Sequence, residues 1–183
     1  VPNFVTYAQL FADAAWENGW RNVGMVVTMG GYGDAWRKAF TYQWVGKGGR
    51  VVADKPANYY TETDFSSQLA AVLAAKPDFL LIGGPSGPTV LVIEQARNLG
   101  YKGGFVLIDQ AKPDYVARII KDMSQLEGMI SAGAIMSLLP GIPGSIALPG
   151  SMPAGYVPGA PRGLGLTRPR KLASWPRKIF EVT

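Results

Sequence analysis

Apolar positions along the chain alternate between two spacings. From Tyr7 to Trp20, Leu10, Phe11, Ala14 and Ala15 recur at helical spacing, and Asn18-Gly19 closes the segment as a C-terminal cap does. Asn22 to Thr28 is an apolar run of strand length; Met29-Gly30-Gly31-Tyr32-Gly33 must turn, and Asp34 to Val45 resumes an amphipathic helical pattern. The unit then repeats. Arg50 to Ala53 reads as a strand, Asn58-Tyr59-Tyr60 as a loop, and Asp64 as the N-cap of a helix over Phe65 to Ala75. Phe79 to Ile82 is a third strand, Gly83 to Pro88 a loop, and Thr89 to Leu99 a helix ending at Gly100. Phe105 to Ile108 forms a fourth strand, Asp114 to Ile120 a short helix, and Gly128 to Ala134 a fifth strand.

Strands that are apolar on both faces, separated by helices, predict an α/β fold: a doubly wound parallel sheet covered on both sides with right-handed crossovers. Such sheets bind ligands outside the carboxyl ends of their strands, where the strand order reverses. The loops that matter are therefore Met29–Gly33, Pro56–Thr63, Gly83–Pro88 and Asp109–Pro113. This domain is expected to span residues 1–136. From Ser137 to Thr183 the character changes: eight of the 14 prolines lie there and no period of 2 or 3.6 persists, so an irregular Pro/Gly-rich tail is expected.

Composition narrows the chemistry. With no cysteine and no histidine among 183 residues, there is no thiol nucleophile, no Ser-His-Asp triad and no imidazole metal ligand. No catalytic residue, metal site or cofactor is implied. The net charge of +5 suggests nucleic acid until its distribution is seen. Through Met136 there are 12 basic and 12 acidic side chains, so the excess belongs to the tail and the domain offers no footprint for a phosphate backbone. No run of apolar residues is long enough to span a membrane, and Val1 opens the chain without a signal peptide, which suggests a processed or truncated chain.

Several residues could carry function. Gly31-x-Gly33-x-x-Trp36, between a strand and a helix and followed by Asp54, approaches a dinucleotide fingerprint, but Trp36 stands where the third glycine would let the helix pack close. The alternative is a tight turn whose glycines permit positive φ. Tyr32, beside Gly31 at the apex, either packs over a ligand or shields the start of the helix. Ser86 lies at a helix start suited to a carboxylate, or serves only as a cap. Asp109, next to Gln110, ends a strand where it could receive a ligand ammonium or cap the next turn. Asn58, Tyr59 and Tyr60 suit a rim.

An ordered series of short motifs resembles a known family. Gly19-Trp20, Val23-Gly24-Met25-Val26-Val27, Tyr32-Gly33, Gly48-Gly49-Arg50-Val51-Val52, Thr63-Asp64-Phe65-Ser66, Lys76-Pro77-Asp78, Gln95 through Lys102, and Glu127-Gly128-Met129 are similar in order and spacing to type I periplasmic solute-binding proteins of the leucine/isoleucine/valine-binding kind. The match covers residues 1–136 and corresponds to the second of that family's two lobes, with the first lobe expected ahead of Val1.

The resemblance implies the binding component of an ABC uptake transporter in the bacterial periplasm, which closes two lobes around a small solute and hands it to a membrane permease without chemistry. Tyr32 matches the family's ligand-contacting tyrosine, and Asp109 falls where amino-acid binders place the partner of the ligand ammonium; Ser86 and Gly31 complete the candidate wall. Pro85-Ser86 departs from the aromatic residue common after the paired glycines, which leaves amide, urea-like and aromatic-acid solutes open beside amino acids. Ser137 onward departs further, as a disrupted reading frame near Met136 would produce. A lone lobe is expected to bind weakly or not at all, and to self-associate through its cleft face. The alternatives are a nucleotide-dependent enzyme and a ligand-sensing regulatory lobe of the same fold.

Overall fold

A computed structural model describes residues 4–132. The boundary expected near Met136 and the segment 137–183 lie outside the described residues. Five strands and five helices alternate: α1 (Phe4–Glu17), β1 (Asn22–Val27), α2 (Gly31–Gly46), β2 (Arg50–Asp54), α3 (Ser66–Leu73), β3 (Phe79–Gly83), α4 (Ser86–Asn98), β4 (Gly104–Leu107), α5 (Pro113–Ile119) and β5 (Met129–Ser131), with a 3-10 turn at Met123–Leu126 before the last strand. All strand pairs are parallel, in the order β2-β1-β3-β4-β5. The expected doubly wound sheet is present. Its order reverses between β1 and β3, because the chain leaves β1 toward β2 and β3 toward β4.

Two cores follow from the period of two along each strand. Val23, Met25, Val27, Phe79, Leu81, Val106 and Ile130 face α1 and α2, where Phe11, Trp36, Phe40 and Trp44 are fully buried. Val26, Leu80, Ile82, Phe105, Leu107 and Met129 face the opposite layer, against Leu69 and Val72 of α3, Val90, Val92 and Ile93 of α4, and Val116 of α5.

Several element boundaries differ from the sequence reading. Helix α2 begins at Gly31 rather than Asp34, so Gly31, Tyr32 and Gly33 form its first turn instead of a loop. Gly30, at φ 96°, supplies the left-handed turn. Gly33 lies so close to the end of β1 that a Cβ there would overlap the Thr28 carbonyl oxygen. Helix α4 begins at Ser86 rather than Thr89, since Pro88 falls in the first turn, where an N–H has no helical partner to lose. Helix α3 is shorter than expected, and Asp64 caps it from one residue further out: its Oδ1 accepts from the Ser66 N–H at 2.9 Å and from Ser66 Oγ at 2.6 Å.

Candidate functional site

The carboxyl ends of β1, β3 and β4 form a crest made by the segments after each strand. Three side chains converge on it. Tyr32, in the first turn of α2, donates its phenol to Asp109 Oδ1 across 77 residues of sequence. Trp36, one helical turn further along the same face, points its indole N–H at the same oxygen at 2.9 Å and at Tyr32 Oη at 3.0 Å. Tyr32 and Asp109, expected separately as site residues, are thus one cluster. Burial, then the bond to Asp109, pushes the Tyr32 phenol far above its ordinary range, so it stays protonated and acts as the donor.

The Trp36 ring fixes this arrangement from below. It is fully buried, stacked on Phe11 at 5.8 Å between ring centres and packed against Phe4 at 6.4 Å. In the sequence Trp36 stands out only as the residue in place of a dinucleotide fingerprint's third glycine. Its spacing of four from Tyr32 was the signal that it shares the Tyr32 face.

The segment after β4 is tied down around the carboxylate. Lys112 Nζ donates to the Asp109 carbonyl at 2.8 Å, and the Lys112 N–H donates to Ser86 Oγ at 2.9 Å. Ser86 therefore does not cap its own helix; it fastens the start of α4 to the loop after β4. Gln110 Nε2 donates to Tyr60 Oη at 3.1 Å, while its own carbonyl oxygen is enclosed and has no partner among the described residues. Gly31 lies in the same first turn as Tyr32, with open space where a side chain would stand.

The tyrosine pair divides. Tyr60 is 67% exposed at the rim, as expected. Tyr59 is not a rim residue: its hydroxyl donates to the Val26 carbonyl at 2.5 Å and accepts from the Gly83 N–H at 3.2 Å, inside the crest. Burial raises this phenol well above its usual range and keeps it a donor. A Cβ on Gly84 would meet the Tyr59 ring at 2.9 Å, so Gly84 makes room for this tyrosine, while a Cβ on Gly83, the last residue of β3, would meet Ile108 at 2.8 Å.

Of the dinucleotide-like glycines, Gly33 has a structural role of the same kind. Gly33 lets α2 abut the end of β1, and Asp54 is engaged by Arg37 Nη1 at 3.3 Å. Burial raises the Asp54 carboxyl above its ordinary value of 3.8, against the opposing pull of Arg37. Among the described residues no group of three or more acidic side chains is placed to hold a metal ion, and no helix is long and apolar enough to cross a membrane. Two surface cavities, of about 620 Å³ between α1 and the end of α2 and about 570 Å³ beside Arg97 and Gln125, lie away from the crest.

The sequence matches the family described as periplasmic binding protein over residues 1–141. Similar solved structures include an extracellular ligand-binding receptor from Rhodopseudomonas palustris HaA2, 22% identical with a TM-score of 0.69, over 75% of this chain and 38% of that one. A leucine binding protein from Thermotoga maritima is 24% identical with a TM-score of 0.60, over 69% of this chain and 36% of that one. A solute binding protein of an ABC transporter from R. palustris, in complex with 4-hydroxybenzoate, is 22% identical with a TM-score of 0.51, over 55% and 28%. No curated protein matches the chain. At these identities the structural likeness concerns the fold, and the matches cover only 28% to 38% of the length of these three structures.

Proposed function

This chain belongs to the periplasmic binding protein family, and on that premise we propose that it forms one solute-contacting lobe of the binding component of an ABC uptake transporter. The solute is small, an amino acid or a related amide or organic acid. It is captured between this lobe and a second one, in the periplasm, and passed to a membrane permease without chemical change. Hinge closure around the solute supplies the conformational signal.

The observation that carries this reading is the convergence of Tyr32, Trp36 and Asp109 at the point where strand order reverses. Asp109 is the acceptor for a ligand ammonium or amide, Tyr32 packs beside it, Gly31 leaves room for the ligand to approach, and Ser86 holds the loop that carries Asp109. The ligands named for similar structures, leucine and 4-hydroxybenzoate, are of this size class.

A thermal-shift screen tests the reading. A ligand present at ten times its Kd adds about 1.4 kcal/mol of stability, enough to raise the melting temperature measurably. Stabilisation by amino acids, amides or aromatic acids that is lost in Y32A and D109A supports the proposal. Stabilisation by nucleotides alone contradicts it and favours a nucleotide-dependent enzyme.

A further inference from the structure

Trp36 is the one crest residue that combines complete burial with a polar atom aimed at the candidate site. Burial of an indole normally demands a partner for its N–H. Here the N–H is shared between the Asp109 carboxylate at 2.9 Å, on a segment after β4, and Tyr32 Oη at 3.0 Å, in the first turn of α2, the helix that carries Trp36. The Trp36 ring cannot shift to follow Asp109, because Phe11 and Phe4 pack against it. Asp109 is therefore the member that conforms. Two donors, the Trp36 indole and the Tyr32 phenol, both meet Oδ1, and no described residue donates to Oδ2.

We propose that Trp36 is the positioning residue of this wall: its buried indole N–H holds Asp109 by Oδ1 and so presents Oδ2 to the donor group of a ligand. This rests on the solute-binding reading for what the ligand is, but the positioning itself is a property of the protein alone. A charge-assisted hydrogen bond is short and directional, and it discriminates by angle as well as by charge. With Oδ1 occupied, Asp109 offers one acceptor direction, which suits an ammonium or amide N–H and repels a carboxylate. Tyr32 shares the task from the exposed side, so loss of either donor alone leaves the other in place, and the two losses combine non-additively.

W36F removes the N–H but also shrinks a fully buried bicyclic ring to a benzene ring, so the two measurements that follow, on the whole chain, read Asp109 and ligand affinity rather than stability. The first needs no ligand. The Trp36 indole cross-peak, assigned as the one missing in W36F, is expected to move by more than its linewidth in D109N and to stay in D54N; the Asp109 carboxylate carbon is expected to move in W36F and to stay in W16F. An indole peak unmoved by D109N, or a carboxylate indifferent to W36F, overturns the role of Trp36 and leaves the solute-binding reading standing.

The second measurement uses L-leucine and sodium 4-hydroxybenzoate as probes. Where L-leucine binds, its affinity is expected to fall about tenfold in W36F, the order of one hydrogen bond to a charged group. The melting temperature is expected to fall, because phenylalanine leaves a cavity at a fully buried site. An unchanged affinity contradicts positioning and assigns the N–H to folding alone. If the spectra shift as stated but neither probe binds this single lobe, the positioning of Asp109 is supported.

Discussion

At the scale of single residues, the same chemistry serves different ends according to burial. Tyr59 and Tyr32 are both protonated donors, yet Tyr59 satisfies the Val26 carbonyl and the Gly83 N–H within the crest while Tyr32, 41% exposed, meets a carboxylate at its surface. Y59F is expected to destabilise the protein by about 1–3 kcal/mol, because it strands two buried backbone groups; urea unfolding checks this, and an unchanged midpoint contradicts it. Asp64 shows the electrostatic side of capping. Bonds from the Ser66 side chain and N–H hold its carboxyl below the ordinary 3.8. A folded-state value that is depressed gives stability that is present above 3.8 and lost as pH falls through the folded value. The melting-temperature gap between D64A and the unmodified protein should therefore be widest near neutral pH and close in acid, whereas a gap constant with pH would contradict the assignment. Asp54, raised by burial, has the opposite sign, which is why the comparison is made as a difference. Tyr32 and Asp109 were legible as candidates from position and resemblance, but their mutual bond was not, since it spans 77 residues.

At the scale of elements, the strands were legible because their apolar runs need no special chemistry to be recognised, and β1, β3 and β4 fall within a residue of where the pattern puts them. The starts of α2 and α4 were not. Glycine and proline read locally as breakers, yet Gly31 and Gly33 sit inside the first turn of α2, and Pro88 inside that of α4. Tertiary contact decides: α2 abuts the end of β1 only because position 33 lacks a side chain. G33A is expected to cost about 1–3 kcal/mol by overpacking against the Thr28 carbonyl, and to displace Tyr32 with the turn that carries it. A chemical-denaturation midpoint equal to that of the unmodified protein would contradict this close approach. The inverse case is Ser86, whose hydroxyl reads as a cap from sequence and in fact accepts from the Lys112 N–H, a partner 26 residues away.

At the scale of the whole molecule, the two packed faces leave the crest as the surface proposed for solute binding. Met29, Tyr32 and Tyr60 are exposed there, at 52%, 41% and 67%, beside a carboxylate already oriented by two donors. A face of this kind suits closure on a second lobe, and the chain by itself is expected to self-associate through it. Sedimentation velocity should show mass rising with concentration, and less so in Y60S; a monomer at every concentration would contradict that expectation. The central claim is that the crest is a solute-binding wall. The most direct test is to titrate the isotope-labelled chain with L-leucine, an aliphatic amide, 4-hydroxybenzoate and a nucleotide, following backbone amide resonances. The account predicts that one of the first three moves the amides of Gly31, Tyr32, Ser86, Asp109 and Gln110 together and that D109A abolishes the response. Shifts confined to the nucleotide, or scattered away from the crest, would contradict it.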